Sequence, residues 1–256
     1  MPNKLIQILT NILQSKKVKS SKMYAEAPER QKSAPNVYYG RQLTPTEIEK
    51  GEHRAFIGGL WEEIGQLQFE FMKSNGLMPH HKLIDIGCGS MRGGVHFVKY
   101  LDYGNYFGLD INQSIIDAGK RELVIAGLLD KAPSLLVNDG FELSLFNVEF
   151  DYAIAVSVFT HLYINNILCC LAEVNKTLRK DGKFFATFFE APTAAYTSTI
   201  QHNPGGIITS YDKDPFHYSF SEMQLFASLV GMKVEFVEWA HPRNQKMLCF
   251  TNLDAG

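Results

Sequence analysis

The sequence predicts an α/β protein: a doubly wound, mostly parallel sheet with helices on both faces, ending in an antiparallel hairpin. Three observations predict it. From residue 82 onward, short runs of branched and aromatic residues alternate with helix-length stretches. A glycine-rich segment, "LIDIGCGSMRGG" (83–94), closes the first of those runs and opens a helix. The last two runs, "MKVEFVEW" (232–239) and "QKMLCF" (245–250), are separated only by "AHPRN", a gap short enough for a hairpin.

Taken in order, residues 1–45 read as an arm and 46–256 as the domain. In "NKLIQILTNILQSKKVKSSK", Leu5, Ile8, Leu9 and Ile12 recur at helical spacing and are followed by Lys16, Lys17, Lys19 and Lys22. Gln7, Thr10 and Asn11 interrupt the apolar run and no small-residue cleavage site follows, so neither a signal peptide nor a bilayer span is expected. The apolar face over residues 4–13 offers a weak contact to an anionic membrane surface or to a second subunit, which is compatible with an oligomer. Residues 20–45 are polar and punctuated by proline, the pattern of a linker.

"TPTEIEKGEHRAFIGGLWEEIGQLQFEFMKSNGL" then turns helical, with Leu60, Ile64, Leu67 and Phe71 on one face, Glu62 and Glu63 early, and Gly76 as the stop. Strands are predicted over 82–86, 105–110, 134–138, 150–156 and 183–189, and helices around 91–101, 113–127 and 163–179.

Composition narrows the function classes. The chain has 256 residues, 45% of them hydrophobic, enough for a sizeable core. Its formal charge of -2 gives no basic field, and no nucleic-acid partner is expected. Cys88, Cys169, Cys170 and Cys249 lack metal-ligand spacing; reduced thiols, no metal and a cytoplasmic setting are expected.

In an open parallel sheet, ligands bind beyond the carboxyl ends of the strands near the switch point, which is where "LIDIGCGSMRGG" falls. Gly87 and Gly89 permit a tight turn and close approach by a ligand. Asp110 ends the second strand about 20 residues farther on, where an acid accepts hydrogen bonds from ribose hydroxyls. The nicotinamide fingerprint wants a third glycine where Arg92 stands, and the glycine-lysine-serine/threonine end of a phosphate-binding loop is missing. Asp85, just before the first glycine, suits a cofactor carrying an amine better than a pyrophosphate. S-adenosylmethionine has that ammonium, a ribose and an adenine, and no phosphate.

With "DIGCGSMRGG", "GLDIN", "NDG", "SVFTHL" and "LRKDGKFFATFFE" in this order, the sequence resembles the class I S-adenosylmethionine-dependent methyltransferases over roughly residues 56–251. The resemblance implies a Rossmann-like, seven-stranded sheet whose last strand is antiparallel. It implies that Asp85, Gly87, Cys88 and Gly89 line the methionine end of the cofactor and that Asp110 holds the ribose, with Ile111 against the adenine. Asp139 would face the adenine amino group with Asn138 or Gly140 beside it, and Ser157 to Phe159 would sit near the reacting methyl. Arg92 would reach the cofactor carboxylate or pair at the helix start.

Methyl transfer to a hydroxyl calls for a base. His217, in "SYDKDPFHYS", is the first expectation and His161, in "SVFTHL", the second, with Glu190 at the end of the fifth strand; His241, Arg243 and Gln245 mark the hairpin turn. Arg243 would hold an acidic acceptor or pair with Glu238. The long stretch from Ala191 to Phe216 is expected to shape the acceptor pocket. The expected reaction is O-methylation of a sugar or other small metabolite; N-methylation of an amine or peptide side chain, a non-catalytic cofactor-binding subunit and a nicotinamide-dependent reductase are the alternatives.

Overall fold

The computed structural model describes residues 37–253. The expected helix over residues 4–13 and the lysines after it lie outside the described residues.

Among the described residues four helices precede the sheet: α1 (Val37–Gly40), α2 (Pro45–Glu49), α3 (Glu52–Phe56) and α4 (Trp61–Ser74). The sequence pattern predicted one continuous helical region here, but Gly51 and the Gly58-Gly59-Leu60 turn, all at positive φ, break it. Thr44 and Glu47 form a capping box that starts α2. In α4 the buried face is Ile64, Gly65, Gln68, Phe71 and Met72. Leu60, expected on that face, is 41% exposed because it sits in the turn rather than in the helix.

The remaining elements are β1 (Leu83–Ile86), α5 (Gly94–Tyr100), β2 (Tyr106–Asp110), α6 (Gln113–Ile125), β3 (Ser134–Val137), β4 (Phe150–Ala155), α7 (Ile164–Thr177), β5 (Leu178–Phe188), β6 (Ile200–His202), β7 (Ile207–Thr209), α8 (Phe220–Leu229), β8 (Met232–Val237) and β9 (Lys246–Asn252). Seven strands form one sheet in the order β3-β2-β1-β4-β5-β9-β8. The pairs from β3 through β5 are parallel, and β9 runs antiparallel to both β5 and β8. This is the predicted Rossmann-like architecture, with strand order reversing between β1 and β4. A separate antiparallel pair, β6 with β7, lies within the long stretch after β5.

Every residue of β1 and β2 is buried, as expected for strands covered on both faces. Alternate side chains feed two cores: Ile84, Ile86, Phe107 and Leu109 pack with Phe150, Phe184 and Leu171 on one side, while Leu83 and Tyr106 pack with Phe71, Met72 and Phe97 on the other. β5 begins earlier than the pattern indicated, at Leu178, with a register shift opposite Phe150 and Tyr152 that accommodates "RKDG".

Residues 38–44, read above as part of the arm, pack on the sheet domain. Leu43 is buried and its N–H donates to Ser114 Oγ at 2.8 Å; the Asn112 side-chain amide donates to the carbonyls of Tyr38 and Arg41, both at 2.7 Å. Glu122 of α6 accepts from His53 and from Arg54 of α3, each at 2.8 Å, and so anchors the helices that cover the switch point. The cysteines at 88, 169, 170 and 249 are all free. Among the described residues no helix is long and apolar enough to cross a membrane.

Candidate active site

The turn after β1 is stitched to the end of β2. The N–H groups of Gly87 and Cys88 both donate to Leu109 O, at 2.7 and 3.0 Å, and Gly89 N–H donates to Asp110 Oδ2 at 3.0 Å. Gly87 has φ +70, and a Cβ there would lie 2.5 Å from Val158 Cγ2, so both its conformation and its space require glycine. Asp110 Oδ1 also accepts from Asn112 N–H at 3.0 Å. Asn112 in turn caps α6 by accepting from the N–H groups of Ser114 and Ile115. One short stretch thus fixes the glycine turn, the acid and the start of the next helix together.

These residues line a cleft at the carboxyl edge of the sheet. Its walls include Asp85, Gly87, Cys88, Gly89, Arg92, Asp110, Ile111, Ser157 and His161 from the sequence-predicted set. Asp85 and Asp110 are both buried. Burial pushes Asp85 up to about 7, against a phenol hydrogen bond from Tyr106 at 2.8 Å that holds it down. Burial likewise pushes Asp110 up to about 6, opposed by the N–H donors of Asn112 and Gly89. Two buried carboxyls in one cleft favour a cationic or hydroxyl-bearing ligand.

Arg92 is 7% exposed and has no carboxylate within ion-pair distance among the described residues. It donates instead to Gly59 O at 2.9 Å, and its Nε is buried without a partner. Burial, reinforced by the neighbouring Arg243, brings its pKa down to about 10.

Past β4 the backbone turns sharply at Ser157, whose φ of 61 is uncommon for a residue with a side chain. The turn is held from β5 and the hairpin. Thr187 Oγ1 accepts the Ser157 N–H at 2.7 Å and itself donates to Gln245 Oε1 at 2.6 Å, and Gln245 also bonds Ser157 Oγ. The next turn carries His161, whose Nδ1 forms a short hydrogen bond with the Asp214 carboxylate. The edge of the Tyr38 ring meets the His161 ring at 5.0 Å. Asp214 reaches this point because its segment is tied to the same turn: Phe216 N–H donates to Thr160 O at 2.7 Å and Tyr218 Oη donates to Leu162 O.

Other predicted residues are placed elsewhere. His217, expected as the first-choice base, is fully buried with both nitrogens engaged. Its Nε2 meets Tyr196 O at 2.7 Å and its Nδ1 meets Thr209 Oγ1 at 2.8 Å, and Thr209 continues the chain to His202 at 2.9 Å. A carbonyl accepts only, so Nε2 carries the proton and the histidine pins the β6–β7 hairpin. Glu190 forms a bridge with Tyr218 and is outside the cleft wall. Phe159 is a core residue packed on Phe184 and Phe250. Asn138 folds back to accept from the N–H groups of Gly140 and Glu142, forming a turn with Asp139 exposed. That turn delivers Phe141, one residue beyond the predicted set, into the cleft.

Sequence reasoning missed Tyr38, Ile57 and Gln68, which come from helices far upstream, and Asp214, which stood inside the quoted "SYDKDPFHYS". The acidic partner of His161 was the available signal there.

Residues 84–184 match the family model described as a methyltransferase domain. Among solved structures, a putative O-methyltransferase from Nostoc punctiforme is similar at 16% identity and a TM-score of 0.60, over 80% of this chain and 60% of that one. An S-adenosylmethionine-dependent methyltransferase from Clostridium acetobutylicum is similar at 10% identity and a TM-score of 0.58, over 81% and 98%. A glycopeptide N-methyltransferase complexed with S-adenosylmethionine is similar at 14% identity and a TM-score of 0.55, over 73% and 94%. At these identities the structural likeness shows the fold, which the sheet order shares, and the matched family model adds that residues 84–184 are a methyltransferase domain.

Proposed function

We propose that the protein transfers a methyl group from S-adenosylmethionine to a hydroxyl of a small-molecule acceptor, with His161 as general base and Asp214 as its orienting partner. The observation that carries this reading is that His161, backed by Asp214, lines the same cleft as Asp85, the glycine turn and Asp110.

The residues present fit the cofactor. The glycine turn leaves space that a side chain would fill. Asp85 offers a carboxylate to the ammonium, Asp110 offers lone pairs to the ribose hydroxyls, and the orphaned Nε of Arg92 offers a donor to the carboxylate. Ile111, Ile115 and Phe141 supply apolar surface for the adenine. When bound, S-adenosylmethionine supplies an electrophilic methyl group, and the protein's part is to align the acceptor, exclude water and handle a proton.

The proton role falls to His161. With Nδ1–H directed at the Asp214 carboxylate, the neutral ring presents a bare lone pair at Nε2. Asp214 fixes that tautomer and stabilises the imidazolium that forms as the acceptor hydroxyl loses its proton. The Tyr38 ring packed edge-on limits the imidazole's rotation and screens it from bulk water.

The test is equilibrium titration with S-adenosylmethionine, S-adenosylhomocysteine and NADH, followed by transfer of a radiolabelled methyl to a panel of hydroxyl- and amine-bearing metabolites. Binding of the two adenosyl ligands, with transfer to a hydroxyl that His161→Asn abolishes while leaving S-adenosylhomocysteine affinity intact, is expected. Transfer to an amine that His161→Asn leaves unchanged would overturn the hydroxyl reading.

A further inference from the structure

Two arginines at and beside the cleft lack a carboxylate partner among the described residues. Arg54 and Arg179 each meet a carboxylate at 2.8 Å. Arg92 and Arg243 do not: among the described residues both donate only to neutral carbonyls of the turn between α3 and α4, Arg92 to Gly59 O and Arg243 to Gly58 O. The ion pair between Arg243 and Glu238 considered from sequence is not formed. The two guanidiniums reach adjacent carbonyls of one turn and act electrostatically on one another and on Tyr38 and His241, so Arg243 and His241 lie beside the part of the cleft wall that Tyr38 and Arg92 form. His241 is 4% exposed and its Nε2 is buried without a partner. Arg92 is buried and Arg243 beside it is half-buried, and holding a cation out of water with no counter-charge is costly unless an anion completes the site.

Arg243 also sits where the acceptor-side segments meet. It touches Gly58 of the covering helices, and a Cβ on Gly205, at the tip of the β6–β7 hairpin, would lie 2.9 Å from Arg243 Cα and 3.1 Å from its Cγ. The cofactor does not neutralise this region. S-adenosylmethionine brings one carboxylate but two positive groups, the ammonium and the sulfonium, so binding it leaves the cleft more positive by one charge. Asp214 is engaged by His161, and Asp85 and Asp110 face the cofactor end.

We infer that the acceptor carries an anionic group, a carboxylate or a phosphate, and that Arg243 receives it beside Arg92, Tyr38 and His241. The inference rests on the methyltransferase reading above and narrows its substrate class to hydroxy acids or phosphorylated alcohols. An acidic group held there would place the acceptor against the wall that Tyr38 shares with His161, within the cleft that holds the base.

The experiment uses the full chain saturated with S-adenosylhomocysteine, so that the cofactor's own carboxylate site is filled. Acetate and inorganic phosphate are titrated calorimetrically at constant ionic strength into wild type, Arg243→Gln and Arg243→Lys. Saturable binding of one anion is expected, weakened about tenfold or more in Arg243→Gln and less in Arg243→Lys, with S-adenosylhomocysteine affinity unchanged. Tighter acetate binding assigns a carboxylic acceptor and tighter phosphate binding a phosphorylated one. Absence of saturable binding of either anion to the loaded wild type overturns the inference, whether or not the variants fold. So does binding that Arg243→Gln leaves intact. Failure of S-adenosylhomocysteine itself to bind would instead sink the cofactor reading, and is seen separately in the loading step.

Discussion

Asp85→Asn is expected to change the sign of its stability effect with pH. In the folded protein, burial lifts the Asp85 carboxyl from 3.8 to about 7. The folded state therefore keeps a proton that the unfolded chain has already lost, and stability falls as pH rises through the window from about 4 to about 7. At 1.36 kcal/mol per pH unit, the full cost of ionising Asp85 above that window is about 4 kcal/mol. Asparagine removes this cost and still accepts from Tyr106 Oη, but it adds buried amide donors with no acceptor, a penalty of about 1–3 kcal/mol. At pH 8 the ligand-free variant should be the more stable by about 1–3 kcal/mol, raising Tm by about 2–10 °C for a domain of this size. At pH 4 wild type carries its proton and the variant should be the less stable by about 1–2 kcal/mol. Thermal unfolding of both proteins at the two pH values reads the difference directly, and groups common to both cancel. A difference of the same sign at both pH values would refute the reasoning. The gain at pH 8 should coincide with S-adenosylmethionine binding weakened by about 1–3 kcal/mol, or roughly 10- to 100-fold, because the ammonium loses its carboxylate.

Asp110→Ala should weaken S-adenosylmethionine and S-adenosylhomocysteine binding by about 2–4 kcal/mol, since it removes the ribose acceptor and frees the Gly89 and Asn112 N–H groups; calorimetric titration checks it. Asp214→Asn should lower kcat by roughly 100-fold or more through the wrong His161 tautomer while S-adenosylhomocysteine affinity holds, which steady-state kinetics beside titration will separate. His217→Asn should lower Tm by breaking the link from Tyr196 O to Thr209 while leaving the shape of the pH–rate profile unchanged; a lost basic limb would restore it as the base. Glu122→Gln should cost about 1–2 kcal/mol of stability, because His53 and the half-exposed Arg54 lose a shared carboxylate, and should loosen the covering helices enough to raise the Kd for S-adenosylhomocysteine.

What could be read from the sequence was what is encoded locally. Strand-like runs, a glycine turn with Asp85 and Asp110 at fixed spacing, and a short terminal gap sufficed for the sheet, its switch point and its antiparallel end, because backbone sterics and hydrophobic periodicity act over a few residues. That Gly87, Gly89 and Asp110 come together in one cleft wall was legible for the same reason: they lie on adjacent strand ends, so spacing along the chain is spacing in the fold. Composition could not separate His161 from His217. Both follow strand ends and both stand near aromatic and acidic residues, and only the structure gives one an open nitrogen beside Asp214 and buries the other between Thr209 and a carbonyl. Tyr38 reaches the cleft, and Arg243 the turn between α3 and α4, through packing of segments far apart in the chain, Tyr38 held by Asn112 and Arg243 by Gly58 at a separation of 185 residues. No local pattern reports such a contact, because its energy is set by which loops the finished sheet brings together. The sequence by itself determined the class of domain and the glycine-turn end of its cleft, because those are set by neighbours in the chain; the tertiary structure alone decided which histidine lines that cleft beside an acid and which arginines lack one, because those contacts join distant segments.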